Sequence, residues 1–353
     1  FFRVLSGSYM ATRCCVVFNV GWSGHVNVTL PVVQGLVADG WSVVYYCYGA
    51  LREKIEAAGA EYREYYANFD TAHHNLGKAL PLCVQPVAVA LLPTLLEQMR
   101  TLQPTVIFYD FFAVWGRYLG QILGIKTVCS VSAPIMDQSP LPPQAPPFQA
   151  TAINHSAIRT LKEVYCVGTS VDECFCTHSP DLNIVYTSIE YQGQPKCIGP
   201  VLYAGALISP RPISEAERAY IVKCTALCES GCRLVLLSMG TAVRNSEEFF
   251  ATCYEALGPM EKDGVHVMMA TGRAQDGELT GDSASQTAPS NFHCLSPFVP
   301  QLECLKLASA FVTHGGMNSV QEALCYDTPM VVIPGFGDQP WNGRRLETLG
   351  AGL

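Results

Sequence analysis

The sequence is poor in charged residues, and this limits the classes of protein it can belong to. Of its 353 residues 15% are charged and 49% are hydrophobic, and the formal net charge is −8. A broad nucleic-acid surface needs clustered Lys and Arg to displace counterions from phosphates, so no nucleic-acid partner is expected. The apolar content is typical of a folded chain with a large core, and the length predicts two domains.

Long uninterrupted hydrophobic runs are also missing. The most apolar stretch, residues 79–96, contains Pro81, Pro86 and Pro93. Because proline inside a helix removes a hydrogen bond and clashes with the preceding turn, this stretch predicts neither a membrane span nor one clean helix. Pro93 instead fits the first turn of a short helix over residues 94–102.

Three ligand-binding signatures are absent from the sequence. Neither the G-x-G-x-x-G dinucleotide fingerprint nor the G-x-x-x-x-G-K-[ST] phosphate loop occurs, and no Asp-x-Asp pair is present to hold a nucleotide through a metal ion. We therefore expect no metal and no bound cofactor. Cys174, Cys176 and His178 have the side chains of metal ligands, but no second ligand pair follows at zinc spacing.

The sixteen cysteines do not indicate a disulfide scaffold. Several lie inside apolar runs, such as Cys14, Cys15 and Cys47, where a free thiol behaves as a small core residue. This usage favours a reduced, cytoplasmic setting. The sequence gives no oligomeric state.

Strand-like and helix-like segments alternate along the chain, which predicts an α/β fold with two doubly wound parallel-sheet domains facing each other across a cleft. The proline-rich segment 193–212 indicates a linker, so the predicted domains are 12–195 and 215–353, joined by 196–214. The predicted strands are 14–20, 42–48, 105–109, 127–131, 233–238, 266–270, 291–295, 310–313 and 330–333. The predicted helices, besides 94–102, are 27–39, 51–58, 247–257, 301–307 and 319–325.

Two polar residues follow strands of the first half. His25 comes after the first strand and a glycine-containing turn, where a neutral imidazole can accept a proton from a hydroxyl group; a purely structural histidine is the alternative. Asp110 ends an apolar run, where a carboxylate can orient a histidine or, equally, cap the following helix.

Two further clusters follow strands of the second half. Ser238 and Thr241 lie in a Ser-x-Gly-Thr turn, whose small residues and hydroxyls suit a phosphate but are of low specificity. The segment 311–324 reads as strand, Gly-Gly turn and helix start, a geometry that binds an anionic diphosphate. A plain turn with a helix cap is the alternative, but it leaves His314 and Glu322 unexplained.

Together these clusters resemble the UDP-glycosyltransferases of GT-B fold, in particular the macrolide-type branch. The resemblance is most specific over residues 298–301, 311–322 and 334–339, and it extends loosely from Thr12 to the end of the chain. It implies a UDP-sugar donor, for which Gln339 is compatible with a glucose-type sugar. It also implies His25 as general base with Asp110 as its partner. The implied donor contacts are Phe298 and Val299 for uracil, Gln301 for the nucleoside, His314, Gly316, Asn318, Ser319, Ser238 and Thr241 for the diphosphate, Glu322 for ribose, and Asp338 and Gln339 for the sugar.

The sequence departs from the family pattern at two places. Val28 stands where relatives usually carry proline, and the chain stops at Leu353, directly after the donor signature. Because family members continue through further helices, we expect the chain to be truncated at its C-terminus.

The expected activity is an inverting O-glycosyl transfer to a small, lipophilic, hydroxylated acceptor. The acceptor pocket is expected around residues 69–89 and 134–148, which are apolar and rich in proline. The alternatives are a non-catalytic nucleotide-sugar binding protein and a UDP-sugar epimerase of the same fold. A nicotinamide oxidoreductase is disfavoured because its fingerprint is missing.

Overall fold

A computed structural model describes residues 13–49, 51–65, 76–135, 152–167, 178–195, 199–240, 247–271, 288–295 and 298–353. The chain divides into two compact units, Phe1–Leu207 and Ile208–Leu353. The division between the units lies inside the segment that the sequence analysis assigned to the linker.

The described part of the first unit holds a seven-stranded parallel sheet in the order β3-β2-β1-β4-β5-β6-β7. Its strands are β1 (Cys14–Phe18), β2 (Ser42–Cys47), β3 (Glu61–Glu64), β4 (Val106–Asp110), β5 (Lys126–Val131), β6 (Leu182–Val185) and β7 (Val201–Tyr203). Its helices are α1 (Ser23–Asn27), α2 (Leu30–Ala38), α3 (Arg52–Ala57), α4 (Leu76–Leu102), α5 (Trp115–Leu123), α6 (Ala152–Glu163) and α7 (Ile189–Gln192).

The described part of the second unit holds a five-stranded parallel sheet in the order β10-β9-β8-β11-β12. Its strands are β8 (Arg233–Ser238), β9 (Val265–Ala270), β10 (Phe292–Leu295), β11 (Ala308–Thr313) and β12 (Met330–Val332). Its helices are α8 (Glu215–Glu229), α9 (Glu247–Leu257), a 3-10 helix (Gly258–Asp263), α10 (Gln301–Leu305), α11 (Met317–Cys325) and α12 (Gln339–Leu349). The predicted α/β class with two parallel sheets is confirmed.

Both faces of the first sheet are buried, as β1 illustrates. Val16 and Phe18 enter one hydrophobic cluster, whereas Cys15 and Val17 enter another on the opposite face. Successive side chains of a strand point to opposite faces, so a strand covered on both sides has to be apolar throughout. This explains the continuous apolar runs that made the strands legible in the sequence.

The prediction of a short helix over 94–102 was wrong. Helix α4 runs for 27 residues, from Leu76 to Leu102, with three prolines inside it. Its described part buries apolar residues at helical spacing, and it packs against α5 and α6. The buried residues are Ala88, Leu91, Leu92, Leu95, Leu96 and Met99. Burial of this stripe offsets the hydrogen bonds that the prolines remove, since each fully buried leucine contributes roughly 1.5–3 kcal/mol.

Other element boundaries also differ from the predictions. The helix predicted over 27–39 consists of α1 and α2, which are separated at Val28 and Thr29. Pro31 lies in the first turn of α2, where a backbone N–H has no partner within the helix, so the N–H that proline lacks costs no hydrogen bond. The edge strands β3 and β7 and the strand β6 were missed. They are three or four residues long, which is too short for a clear alternation.

The structure also bears on the cysteines and on membranes. The side chains of twelve cysteines are described, and each of them is a free thiol. Among the described residues, no helix combines the length and the apolar character needed to cross a membrane.

Candidate functional site

The first unit brings His25 and Asp110 together. His25 lies in α1, just after β1, and Asp110 is the last residue of β4, which pairs directly with β1. The His25 Nδ1 atom is 2.8 Å from the Asp110 Oδ2 atom, and the side chains are 16% and 0% exposed. Neighbouring parallel strands end at the same edge of the sheet, so two residues far apart in sequence meet there.

The hydrogen bond fixes the tautomer of His25. A carboxylate only accepts hydrogen bonds, so His25 Nδ1 carries a proton, and in the neutral imidazole Nε2 is the nitrogen with the free lone pair. The other oxygen of Asp110, Oδ1, accepts from the backbone N–H of Phe112 at 3.0 Å. Asp110 therefore holds the histidine and a tight turn at once, but it does not cap α5, whose N-cap residue is Val114.

Ser132 is a third member of this group, and the sequence analysis missed it. Its Oγ atom lies 3.0 Å from His25 Nδ1, and the residue is 8% exposed. Ser132 directly follows β5, the strand next to β4 in the sheet. The rule that polar residues after strands mark a site, which selected Asp110, would also have selected Ser132.

Aromatic rings surround the imidazole of His25. Phe111 stacks on it with 5.5 Å between ring centroids, and Trp22 meets it edge-on at 5.0 Å. Phe112 approaches to 5.5 Å from a tilted orientation. These rings fix the imidazole plane and surround the ring with apolar groups.

In the second unit, the imidazole of His314 fits between two glycines. A β-carbon at Gly240 would lie 2.5 Å from its Cε1 atom, and one at Gly316 would lie 2.4 Å from its Nε2 atom. Neither distance leaves room for a side chain, so the two backbones enclose the ring. Gly240 also has a φ of +71°, a conformation that glycine adopts without strain.

This enclosure keeps His314 neutral. Burial lowers the pKa of His314 from its usual value near 6.5 to about 4, because the charged form loses its hydration. A neutral imidazole donates one hydrogen bond. His314 lies two residues before Gly316, the N-cap residue of α11, which has no side chain to cap the helix. The partial positive charge of a helix N-terminus favours an anion there.

Glu322, one turn further along α11, is the centre of a polar network. The residue is 5% exposed. Its Oε2 atom accepts from Gln301 Nε2 at 2.7 Å, and Gln301 Nε2 also donates to Ser319 Oγ at 3.2 Å. Its Oε1 atom accepts from the guanidinium of Arg211, a residue that the sequence analysis did not select.

Asp338 and Gln339 support the loops around the Gly-Gly turn. Asp338 Oδ2 accepts from the backbone N–H of Met317 at 3.3 Å and from Asn342 Nδ2 at 2.9 Å. Asn342 Nδ2 also donates to the carbonyl of Gly315 at 2.8 Å. Gln339 Oε1 accepts from the backbone N–H groups of residues 335 and 336, so its Nε2 group is the part that can donate to a ligand.

The remaining predicted donor residues occupy the same edge of the second sheet, or lie outside the described residues. Ser238 ends β8 beside Thr313 of β11, and it is 6% exposed. Phe298 and Val299 follow β10 and lead into α10. Thr241 lies outside the described residues, as do most of the segments predicted to shape the acceptor pocket.

Within the described part of the chain, no group of three or more His, Cys, Asp or Glu side chains has the geometry to hold a metal ion. Cys174 and Cys176 lie outside that part.

Comparisons with known proteins identify similar glycosyltransferases. Residues 196–353 match the family model for UDP-glucuronosyl and UDP-glucosyl transferases. The chain is 28% identical to an uncharacterized UDP-glucosyltransferase of Bacillus subtilis, over 96% of this chain and 85% of the relative. It is 25% identical to the oleandomycin glycosyltransferase of Streptomyces antibioticus, over 95% of this chain and 77% of that enzyme.

Solved structures show the same fold. The glycosyltransferase of kitacinnamycin aligns with a TM-score of 0.69 at 24% identity, over 96% of this chain and 85% of that protein. At this identity the likeness establishes the GT-B fold and carries no information about the substrate.

Proposed function

We propose that this chain transfers a hexosyl group, with inversion, to a hydroxyl of a small lipophilic acceptor. The chain belongs to the UDP-glycosyltransferase family of GT-B fold and is similar to its macrolide-type branch. The observation that carries the proposal is the 2.8 Å contact between His25 Nδ1 and Asp110 Oδ2. It leaves Nε2 of His25 as a base, whereas nucleotide binding alone would require no such pair.

In the proposed step, His25 Nε2 takes the proton of the acceptor hydroxyl. The acceptor oxygen forms a bond to the anomeric carbon of the donor, and the bond from that carbon to the UDP oxygen breaks. The proton stays on His25, and Asp110 stabilises the imidazolium that results. Attack opposite to the leaving group inverts the anomeric centre, so an α-linked donor gives a β-glycoside.

The second unit is proposed to bind the donor. The N-terminus of α11 and the N–H of His314 would face the diphosphate, and would stabilise the charge that develops on the leaving UDP. Glu322 would accept from the ribose hydroxyls. Gln339 Nε2 would donate to a sugar hydroxyl, which supports a glucose-type donor.

The acceptor is proposed to be lipophilic because aromatic side chains surround the base. Phe111, Phe112 and Trp22 all contact His25. One relative, the oleandomycin glycosyltransferase, carries the name of a macrolide. Phenolic, sterol and macrolide hydroxyl compounds are thus the first acceptors to examine.

The test is UDP release from UDP-glucose with each acceptor class, followed by determination of the anomeric configuration of the product. We expect acceptor-dependent release and a β-glycoside. Release or epimerisation of the donor without any acceptor would favour a different reaction of the same fold. Binding of UDP-glucose without turnover by any acceptor would identify a nucleotide-sugar binding protein.

A further inference from the structure

The contact between Arg211 and Glu322 has no role in the function described so far. Arg211 lies in residues 204–214, which form neither helix nor strand, and its guanidinium donates to Glu322 Oε1. Both residues belong to the second unit. Residue 322 is separated from residue 211 by more than a hundred positions, so the contact is formed by the fold and not by local sequence.

This contact occupies the carboxylate that the proposed function assigns to ribose. Gln301 holds Oε2 and Arg211 holds Oε1, so each oxygen already accepts from a side chain. The Glu322 side chain is 6% exposed, which leaves little of the carboxylate open to an arriving nucleoside. For two ribose hydroxyls to reach it, a neighbouring group has to move.

Of the two partners, Arg211 is the one that can leave at the smaller cost. Its side chain is 40% exposed and lies on an irregular segment, whereas Gln301 is the first residue of α10 and also holds Ser319. A partly exposed arginine loses little when its ion pair breaks, because water screens its charge and solvates the freed guanidinium. A carboxylate this deeply buried still needs a donor when no nucleotide is present.

We infer that Arg211 is an autoinhibitory side chain of the donor site, which pairs with Glu322 in the empty site and is displaced by the ribose of UDP or a UDP-sugar. The inference rests on the proposed role of Glu322. Arg211 stands in for the two hydroxyls of the ribose: it satisfies the buried carboxylate until the nucleoside arrives, and its pairing is lost on binding.

The test compares UDP with 2′,3′-dideoxyuridine diphosphate, which lacks both ribose hydroxyls, by calorimetry on the full chain. For Arg211→Met we expect UDP to bind roughly two- to fivefold more tightly than to the wild type, because no ion pair has to be broken. The dideoxy ligand should gain nothing, since it can bind with the Arg211 contact in place. Arg218→Met, which removes an exposed arginine of α8, is the matched control and should change neither affinity.

Equal or weaker binding of UDP to Arg211→Met would overturn the inference, and so would an equal gain for both ligands. Failure of the proposed function gives a different result. In that case the wild type would not bind UDP, or Glu322→Gln would bind it as tightly as the wild type does.

Discussion

The two units each place one histidine at the carboxyl edge of a parallel sheet, and the surroundings of these histidines differ. His25 in the first unit has a buried carboxylate 2.8 Å from its Nδ1 atom. His314 in the second unit is enclosed by Gly240 and Gly316, and burial lowers its pKa to about 4. A carboxylate partner stabilises a protonated imidazole, whereas a desolvated ring between glycines resists protonation. The first setting suits a base and the second a neutral hydrogen-bond donor.

The largest effect that tests this comparison is on His25. His25→Ala removes the proposed base, and general bases contribute typically 10²–10⁴-fold to a rate, so kcat is expected to fall by that amount. Affinity for UDP, which we assign to the second unit, should remain as in the wild type. Turnover numbers from a UDP-release assay, together with calorimetric UDP affinities, check both parts.

Asp110→Asn is the companion to that variant. It keeps the size of the side chain and replaces the carboxylate by a neutral amide, so it should lower kcat without changing UDP affinity. If either variant turned over at the wild-type rate, the histidine of the first unit would not be the base, and the contrast between the two units would lose its chemical meaning.

The second effect concerns the space around His314. Gly316 has a φ of −63°, which alanine adopts without strain, so Gly316→Ala acts only through the new β-carbon 2.4 Å from His314 Nε2. The ring has to move, and its return to the position proposed to bind the diphosphate would cost about 1–3 kcal/mol of overpacking, or roughly a 5- to 150-fold loss of UDP affinity. Gly343→Ala is the control, since its β-carbon would meet Val332 at an ordinary 3.4 Å. Equal UDP affinities for the two variants would contradict the enclosure.

Both histidines could be found from the sequence because each follows an apolar strand. The apolar runs are readable since both faces of the first sheet are covered, and parallel topology brings the ends of β1 and β4 to one edge. Ser132 follows the same rule and was overlooked. Polar residues that follow strands, and so lie at the edge of a parallel sheet, can therefore largely be predicted from the sequence.

Other features depend on packing that the sequence does not display. The continuous α4 was missed because the gain from its buried stripe outweighs a local rule against proline. The roles of Asn342 and Arg211 depend on partners brought near by the fold, Gly315 and Glu322. No spacing pattern links these pairs, so only the folded structure reveals them.

A third effect follows from the lowered pKa of His314. Its pKa is about 4 in the folded chain and near 6.5 when unfolded, so between these values the unfolded chain binds more protons. The free energy of unfolding therefore decreases as the pH falls through this range, by on the order of 2 kcal/mol between about pH 7 and about pH 4.5. His314→Asn should remove this part of the pH dependence in urea denaturation followed by circular dichroism.

The control for that experiment is His155→Asn, which removes an exposed histidine of the first unit. It should leave the pH dependence as in the wild type. Identical pH profiles for wild type and His314→Asn would show that the imidazole is not held neutral by burial.

The smallest expected effect is that of Ser132, and it tests how His25 is held. Ser132 Oγ and Asp110 Oδ2 share the single proton of Nδ1, and the carboxylate is the stronger acceptor. Ser132→Ala removes the weaker partner, so His25 is oriented less firmly and the activation free energy should rise by about 0.5–1.5 kcal/mol. This corresponds to a roughly two- to tenfold decrease in kcat. Steady-state kinetics with a saturating donor measure it, with Ser130→Ala, whose hydroxyl bonds Tyr186, as the matched control. A decrease as large as that of Asp110→Asn would mean that the serine and the carboxylate contribute equally to positioning the proposed base. A charged partner would then not be what distinguishes His25 from His314.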